Sequence, residues 1–242
     1  MESGVLRTSI RPPFFVGVSL MATYWPTGTN SAIALAALLL LWYVVGGFIN
    51  RRRAGMIVRQ VRDSIQSLGG TATIRWIGRN AFRIEVEKLT APFEKLSISG
   101  LLEPRETFFL WLVWRLGGRQ DWLMIRATLI GAVGPAFEIY HPRRRGAADV
   151  GRAIRALGWR AEVLPGHAEL RCASADARGK ALAGEMLAAL RNVPIWRVGL
   201  QSQAPQFTLS LPVPTTETRP TLPIFAVLPQ LAETVLAPGH RT

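Results

Sequence analysis

SAIALAALLLLWYVVGGFI, residues 31–49, runs directly into Asn50-Arg51-Arg52-Arg53, and the reading of that junction sets the frame for the whole chain. The stretch carries no charged side chain. As a helix rising about 1.5 Å per residue it reaches roughly 28 Å, close to the ~30 Å of a hydrocarbon core. In lipid the backbone must satisfy its own polar groups, and for an open chain only a helix does so. Trp42 and Tyr43 fall towards its arginine side. Lys and Arg flanking a span stay on the cytoplasmic side, and Arg59 and Arg62 add to the same flank. Everything after Arg51 is therefore expected in the cytoplasm, tethered to the inner membrane. The competing reading is a buried core helix of a soluble protein, but core helices of this length usually show a polar stripe.

Upstream, Phe14–Trp25 is a shorter apolar run bounded by Pro12-Pro13 and Pro26. With residues 12–25 as a short first arm, residues 1–50 form a membrane anchor shaped as a helical hairpin. Arg7 and Arg11 then join Arg51–Arg53 on one side. The alternatives are a signal-peptide core and a segment that only dips into the interface. Gly28, Ala32 and Ala36 make a small-residue face suited to close helix packing.

Downstream, residues 51–70 read as a juxtamembrane amphipathic helix. Ile57, Val61, Ile65 and Leu68 fall on one face and Arg59, Arg62, Asp63 and Gln66 on the other. Its arginines either lie on anionic lipid or form a solvated face of a packed helix. Residues 71–212 read as a cytoplasmic α+β domain. Thr71–Ile77 and Phe82–Val86 form a hairpin about Gly78-Arg79-Asn80. Phe93–Leu101 is a third strand. Arg105–Leu116 is an apolar helix, either buried or lying against the membrane through Trp111 and Trp114, with a strand as its alternative. Asp121–Ile130 is a strand. From residue 136 to 212 the order is β-α-β-β-α-β plus one strand, a ferredoxin-like arrangement in a mainly antiparallel sheet. Residues 213–242 read as a proline-rich linker and a short C-terminal helix docked at the domain edge.

The formal net charge is +13. Lysine occurs only at Lys88, Lys95 and Lys180, so nearly all of that excess is arginine. Such a field favours anionic partners, here the anionic inner leaflet of a bilayer. The single cysteine, Cys172, excludes an internal disulfide framework and reads as a core thiol.

Catalytic grammar is missing from the sequence. No phosphate-cradling glycine loop follows a strand, and no serine sits in a nucleophile elbow. His141, His167, His240 and Cys172 are too scattered for metal ligation, so neither a metal nor a cofactor is expected. The strand faces lack the aromatic platform of an RNA-recognition module, which makes nucleic acid a poor partner. Two arginine groups remain as candidates. Arg51, Arg52, Arg53, Arg59 and Arg62 are expected to contact anionic lipid. Arg143, Arg144 and Arg145, just ahead of a helix, are expected to form an anionic-ligand loop. The chain thus reads as a membrane-tethered binding or scaffold domain rather than an enzyme. The alternative is a membrane-associated enzyme acting on a phosphorylated or lipid substrate.

Overall fold

The computed structural model describes residues 28–66, 68–144, 146–213 and 223–236; the candidate first arm at 12–25 lies outside them. The chain divides between Leu38 and Leu39 into two units. Helix α1 (Gly28–Gln66) is long and apolar enough to cross a membrane. Its most apolar 18-residue window has a mean hydropathy of 2.4 and is only 6% buried. Ile33, Leu35 and Leu38 are exposed in the first unit, and Leu40, Leu41, Val44 and Phe48 in the second. That is the reverse of a core helix, and it removes the soluble-core reading for this stretch. Nor is there a separate helix over 51–70. With no proline in α1 and strong helix formers through the arginines, nothing in the local sequence stops propagation at Arg51.

The strands are β1 (Thr71–Trp76), β2 (Ala81–Glu87), β3 (Phe93–Leu101), β4 (Trp122–Leu129), β5 (Phe137–Tyr140), β6 (Arg160–Leu164), β7 (His167–Ser174), β8 (Arg197–Leu200) and β9 (Phe207–Pro212). They form one sheet in the order β1-β2-β3-β4-β9-β8-β5-β7-β6, and every pairing is antiparallel. The strand appended to the second half, β9, is what joins the two halves, because it lies between β4 and β8. Period-two alternation puts Phe82, Ile84 and Val86, Leu96 and Ile98, Leu123 and Ile125, and Phe137 and Ile139 into a single buried core. The helix α4 (Ala177–Ala189), the helix α5 (Pro223–Val235) and the C-terminal half of α1 contribute to the same core. The face of α1 that does so carries Ile57, Val61 and Ile65, the row expected from periodicity. Each such side chain contributes about 1.5–3 kcal/mol on burial.

Two expectations need correction. The C-terminal helix does not merely dock at an edge: Ile224, Phe225, Leu228 and Leu231 of α5 are fully buried. In 136–212 the strand order β8-β5-β7-β6 is that of a β-α-β-β-α-β chain in which each helix crosses one strand. The helix layer, however, is split. Helix α3 (Ala147–Ala156) packs Val150 and Ile154 on Tyr140 and Ala173, whereas α4 shares a core with Ile139 and Cys172. Neighbouring residues of a strand point to opposite faces, so α3 and α4 cover opposite faces of the sheet. A same-side helix pair is not what forms.

Helix α2 (Phe108–Leu116) is neither a strand nor a buried helix: none of its residues is buried. Phe109, Val113 and Leu116 are 67%, 65% and 80% exposed. Its inner side stacks on the second unit's part of α1, with the Trp42 ring centroid 4.9 Å from Phe108 and 5.4 Å from Trp111. Trp42 Nε1 donates to the Arg105 carbonyl at 2.8 Å. That approach requires glycine at position 46, since a Cβ there would meet the Arg105 oxygen at 2.2 Å.

Below this contact lies a buried polar network. Asp121, buried just before β4, forms ion pairs with Arg53 (Nε–Oδ2 2.6 Å) and Arg105 (Nη2–Oδ2 3.0 Å) and accepts a hydrogen bond from the latter. It also accepts the Glu103 backbone N–H at 2.7 Å. Asn50 donates to the Glu103 carbonyl and to Glu106, each at 2.9 Å, and accepts from Arg105 at 2.9 Å. Asn80, in the β1–β2 turn, donates to Glu106 at 2.6 Å. Trp111 Nε1 donates to Glu103 at 3.2 Å. The network thus ties α1 to the β1–β2 turn, the β3–α2 loop and the start of β4. Removing one partner of a buried ion pair strands the other charge, at a cost of about 3–5 kcal/mol. Asp121→Ala in the full-length, detergent-solubilised chain is therefore expected to lose stability of that order, measured by denaturant unfolding. Gly46→Ala is expected to lower the same midpoint, and an unchanged midpoint in both would show the network to be dispensable.

Candidate functional site: an arginine and tryptophan cleft

The loops after α2 and after β5 meet because β4, β9, β8 and β5 are consecutive in the sheet. Between them opens a cleft of about 430 Å³ lined by Trp114, Gly117, Gly118, Arg119, Gln120, Trp122, His141, Arg143, Arg144 and Trp196. No carboxylate is among these described lining residues. The Arg144 guanidinium lies over the Trp196 ring at 5.1 Å, and Arg119 lies over Trp114 at 4.9 Å. Cation–π seating of this kind holds a guanidinium flat and leaves its edge free to donate. Arg144 Nη1 also reaches the Gly118 carbonyl at 3.4 Å, linking the two loops. Trp122 keeps a buried indole Nε1 with no hydrogen-bond partner among the described residues.

A second lobe of about 250 Å³ shares Trp122, His141 and Trp196 with the first, and is closed by Met124, Tyr140 and Val150. Arg197 borders it and forms an ion pair with the buried Glu138. Burial pushes the Glu138 carboxyl above its ordinary pKa of 4.5, against the opposing pull of Arg197. Gly199 makes room for that carboxylate, because a Cβ there would meet Glu138 Oε2 at 2.5 Å.

His141 is positioned by its own backbone. Its N–H donates to the Trp196 carbonyl at 2.8 Å, and its carbonyl accepts from the Arg144 N–H at 3.1 Å. Its Nδ1 accepts the Arg143 N–H at 3.2 Å, which favours the neutral ring with the proton on Nε2. Burial first, then the Arg144 charge, lowers its pKa from the ordinary 6.5, with Arg143 adding to the effect and Glu169 opposing it.

The residues singled out from sequence separate into two places. At about 100° per residue, Arg51, Arg52, Arg59 and Arg62 fall within one stripe of α1, and all four are exposed. Arg53 faces the other way, its side chain 25% exposed and paired with Asp121. Arg143 and Arg144 line the cleft, while Arg145 lies outside the described residues. Sequence reading missed Trp114, Arg119, Trp122 and Trp196. The one available hint was Trp196-Arg197 and Trp159-Arg160 recurring at strand starts. Cys172 is buried, and desolvation raises its pKa to about 11, which keeps the thiol protonated and unreactive. Among the described residues no group of three or more His, Cys, Asp or Glu is placed to hold a metal ion.

Compared with known proteins, the chain matches no family model and no curated protein. The site is therefore read from its own chemistry.

The His141 ring makes a checkable claim. Its folded pKa lies below its unfolded value, so protonation favours the unfolded chain. The stability contributed by the neutral ring is present above about pH 6.5 and is lost as pH falls towards the folded pKa. Histidine side-chain NMR of the folded chain is expected to show one of the three imidazoles, assigned through His141→Gln, titrating below 6.5. A midpoint above 6.5 would contradict the geometry.

Proposed function

We propose that this chain is a membrane-tethered binding domain of a bacterial-type inner membrane. The apolar part of α1 spans the bilayer, and the α+β domain, with its 136–212 part a split-helix variant of the ferredoxin-like arrangement, sits on the cytoplasmic side. The observation that carries this reading is α2. A helix apolar at every position but Arg115, with none of its residues buried and stacked on the second unit's part of α1, is suited to lying in a lipid interface. The uncovered faces of α1 and α2 then share one solvent, the acyl chains. Trp111 and Trp114 supply amphipathic rings of the kind that concentrate at an interface. The exposed stripe of Arg51, Arg52, Arg59 and Arg62 supports the orientation, since arginine beside a span is retained in the cytoplasm. Each such arginine contributes about 1 kcal/mol near an anionic leaflet.

The reading as an enzyme acting on a phosphorylated or lipid substrate has one observation in its favour: His141 borders the cleft beside Arg143 and Arg144. Acid–base work on a substrate there would need a second titrating group. The carboxylate in the lining of the adjoining lobe, Asp149, is exposed and paired with Arg152, so binding is the better-supported role.

Depth measurement tests the proposal. A nitroxide at Leu116→Cys, in a Cys172→Ser background and reconstituted in bilayers, is expected to be quenched by oxygen and shielded from a nickel chelate. A label at Arg59→Cys is expected to show the opposite preference. Equal nickel access at both positions would overturn the interfacial placement of α2. A cysteine at Glu162, labelled by an impermeant reagent in inverted vesicles but not in intact cells, is the expected result for a cytoplasmic domain.

A further inference from the structure

We infer that the cleft between the α2 and β5 loops is a binding site for a phosphate-bearing headgroup, held by Arg119, Arg143 and Arg144 and bordered by Trp114, Trp122 and Trp196. This rests on the membrane-tethered reading for the ligand's source, though not for its chemistry.

Three guanidinium-bearing side chains border one cavity that has no lining carboxylate among the described residues. Where arginines pack into the buried part of the second unit they meet acids, as Arg53 and Arg105 do at Asp121 and Arg197 at Glu138. In the cleft three arginines line one cavity with no acid in its described lining. Two of them are pre-seated on indole rings, so less side-chain freedom is lost when an anion binds. Planar guanidinium edges match phosphate oxygens in paired hydrogen bonds, stronger than neutral ones.

Size and lining extend the ligand beyond a bare anion. A volume of about 430 Å³ is in the range of small-molecule pockets, whereas a phosphate fills only part of it. The remaining walls are indole faces, suited to a polar group with a flat or weakly apolar side.

Position completes the case. Trp114 belongs to the last turn of α2, and Gly117 and Gly118 directly follow that helix. The cleft therefore opens where the exposed apolar helix ends. If α2 lies among acyl chains, the next layer along it is the headgroup region. A phospholipid phosphate would meet the arginines there while its chains stay beside Val113 and Leu116.

The test uses the full-length chain in maltoside micelles, which carry no phosphate, titrated by calorimetry with two probes: dioctanoyl phosphatidic acid and inorganic phosphate. Saturable binding of at least one is expected. Binding of the lipid alone identifies the source as a headgroup, and comparable binding of phosphate identifies a soluble phosphate compound. Arg119→Gln with Arg144→Gln is expected to weaken binding at least tenfold. Arg178→Gln with Arg191→Gln, which removes the same charge from the exposed surface around α4, is expected to leave it within twofold. Equal losses in the two arginine pairs, or no saturable binding of either probe, would overturn the assignment. Vesicle flotation of the same preparation separates the two readings. A chain that floats but binds neither probe loses the cleft assignment alone. One that binds phosphate but does not float loses the membrane reading alone.

Discussion

Asp121 is where the structure is held together. Its carboxylate is taken out of water beside two guanidinium groups and a backbone N–H, and an ion pair buried that deeply is favourable only when its remaining valences are met. Meeting them brings four distant pieces of chain to one point: the end of the apolar helix stretch, the β1–β2 turn, the β3–α2 loop and the first residue pairs of β4. Hydrophobic burial alone would let α1 slide along the sheet, because leucine and isoleucine rows tolerate displacement. A polar cluster with directed hydrogen bonds does not. The register between α1 and the sheet is therefore a matter of Asn50 and Arg53, and the placement of α2 against α1 follows from Arg105 and Trp42.

From that register the placement of the cleft follows. Once α2 is fixed against α1, its C-terminal turn delivers Trp114, and the Gly117-Gly118 turn carries the chain to Arg119. The second wall comes from the β5 loop, and the two meet only because β9 inserts between β4 and β8. A strand that looked like an appendage to the second half is thus the element that makes two half-sheets into one and creates the site at their join. Apolar helix, anchored junction and basic cleft form a continuous series along the chain's surface. That continuity is why the lipid reading of α2 and the headgroup reading of the cleft support each other while remaining separately testable.

How much of this was legible in the sequence depends on the range of the interaction. The strands and most helices were readable because their signals are local. Phe82, Ile84 and Val86 alternate, Ile57, Val61 and Ile65 recur at helical spacing, and glycine and proline punctuate the ends. The α+β reading with an apolar leading helix came from that. What sequence could not show was which polar residues would be withdrawn from water. Arg53 stands in a run with Arg51 and Arg52 and is chemically identical to them, so a charge-counting argument treats all three as headgroup contacts. Only the helical angle and the position of Asp121, some seventy residues away by rough count, separate it. Asn50, Glu103 and Asp121 each flank an apolar stretch, and in a chain so short of acids those flanking carboxylates were the overlooked clue.

The cleft shows the same limit in a second form. Arg143 and Arg144 were visible as a cluster because they are adjacent, whereas Arg119, Trp114 and Trp196 were invisible as one, since each belongs to a different crossover of the sheet. A further consequence concerns His141. Sequence placed it beside the arginines, but its ionisation is set by what the fold supplies: burial first, then the Arg144 charge, with the Arg143 N–H on Nδ1 favouring the neutral ring. All three disfavour a proton on that ring, in a cleft already rich in positive charge. An anion entering the cleft would relieve the repulsion and raise the His141 pKa, so occupancy and protonation are linked in sign. Acidification towards the histidine's folded pKa would then tighten anion binding while loosening the empty fold. The two effects share one titrating ring and run in opposite directions.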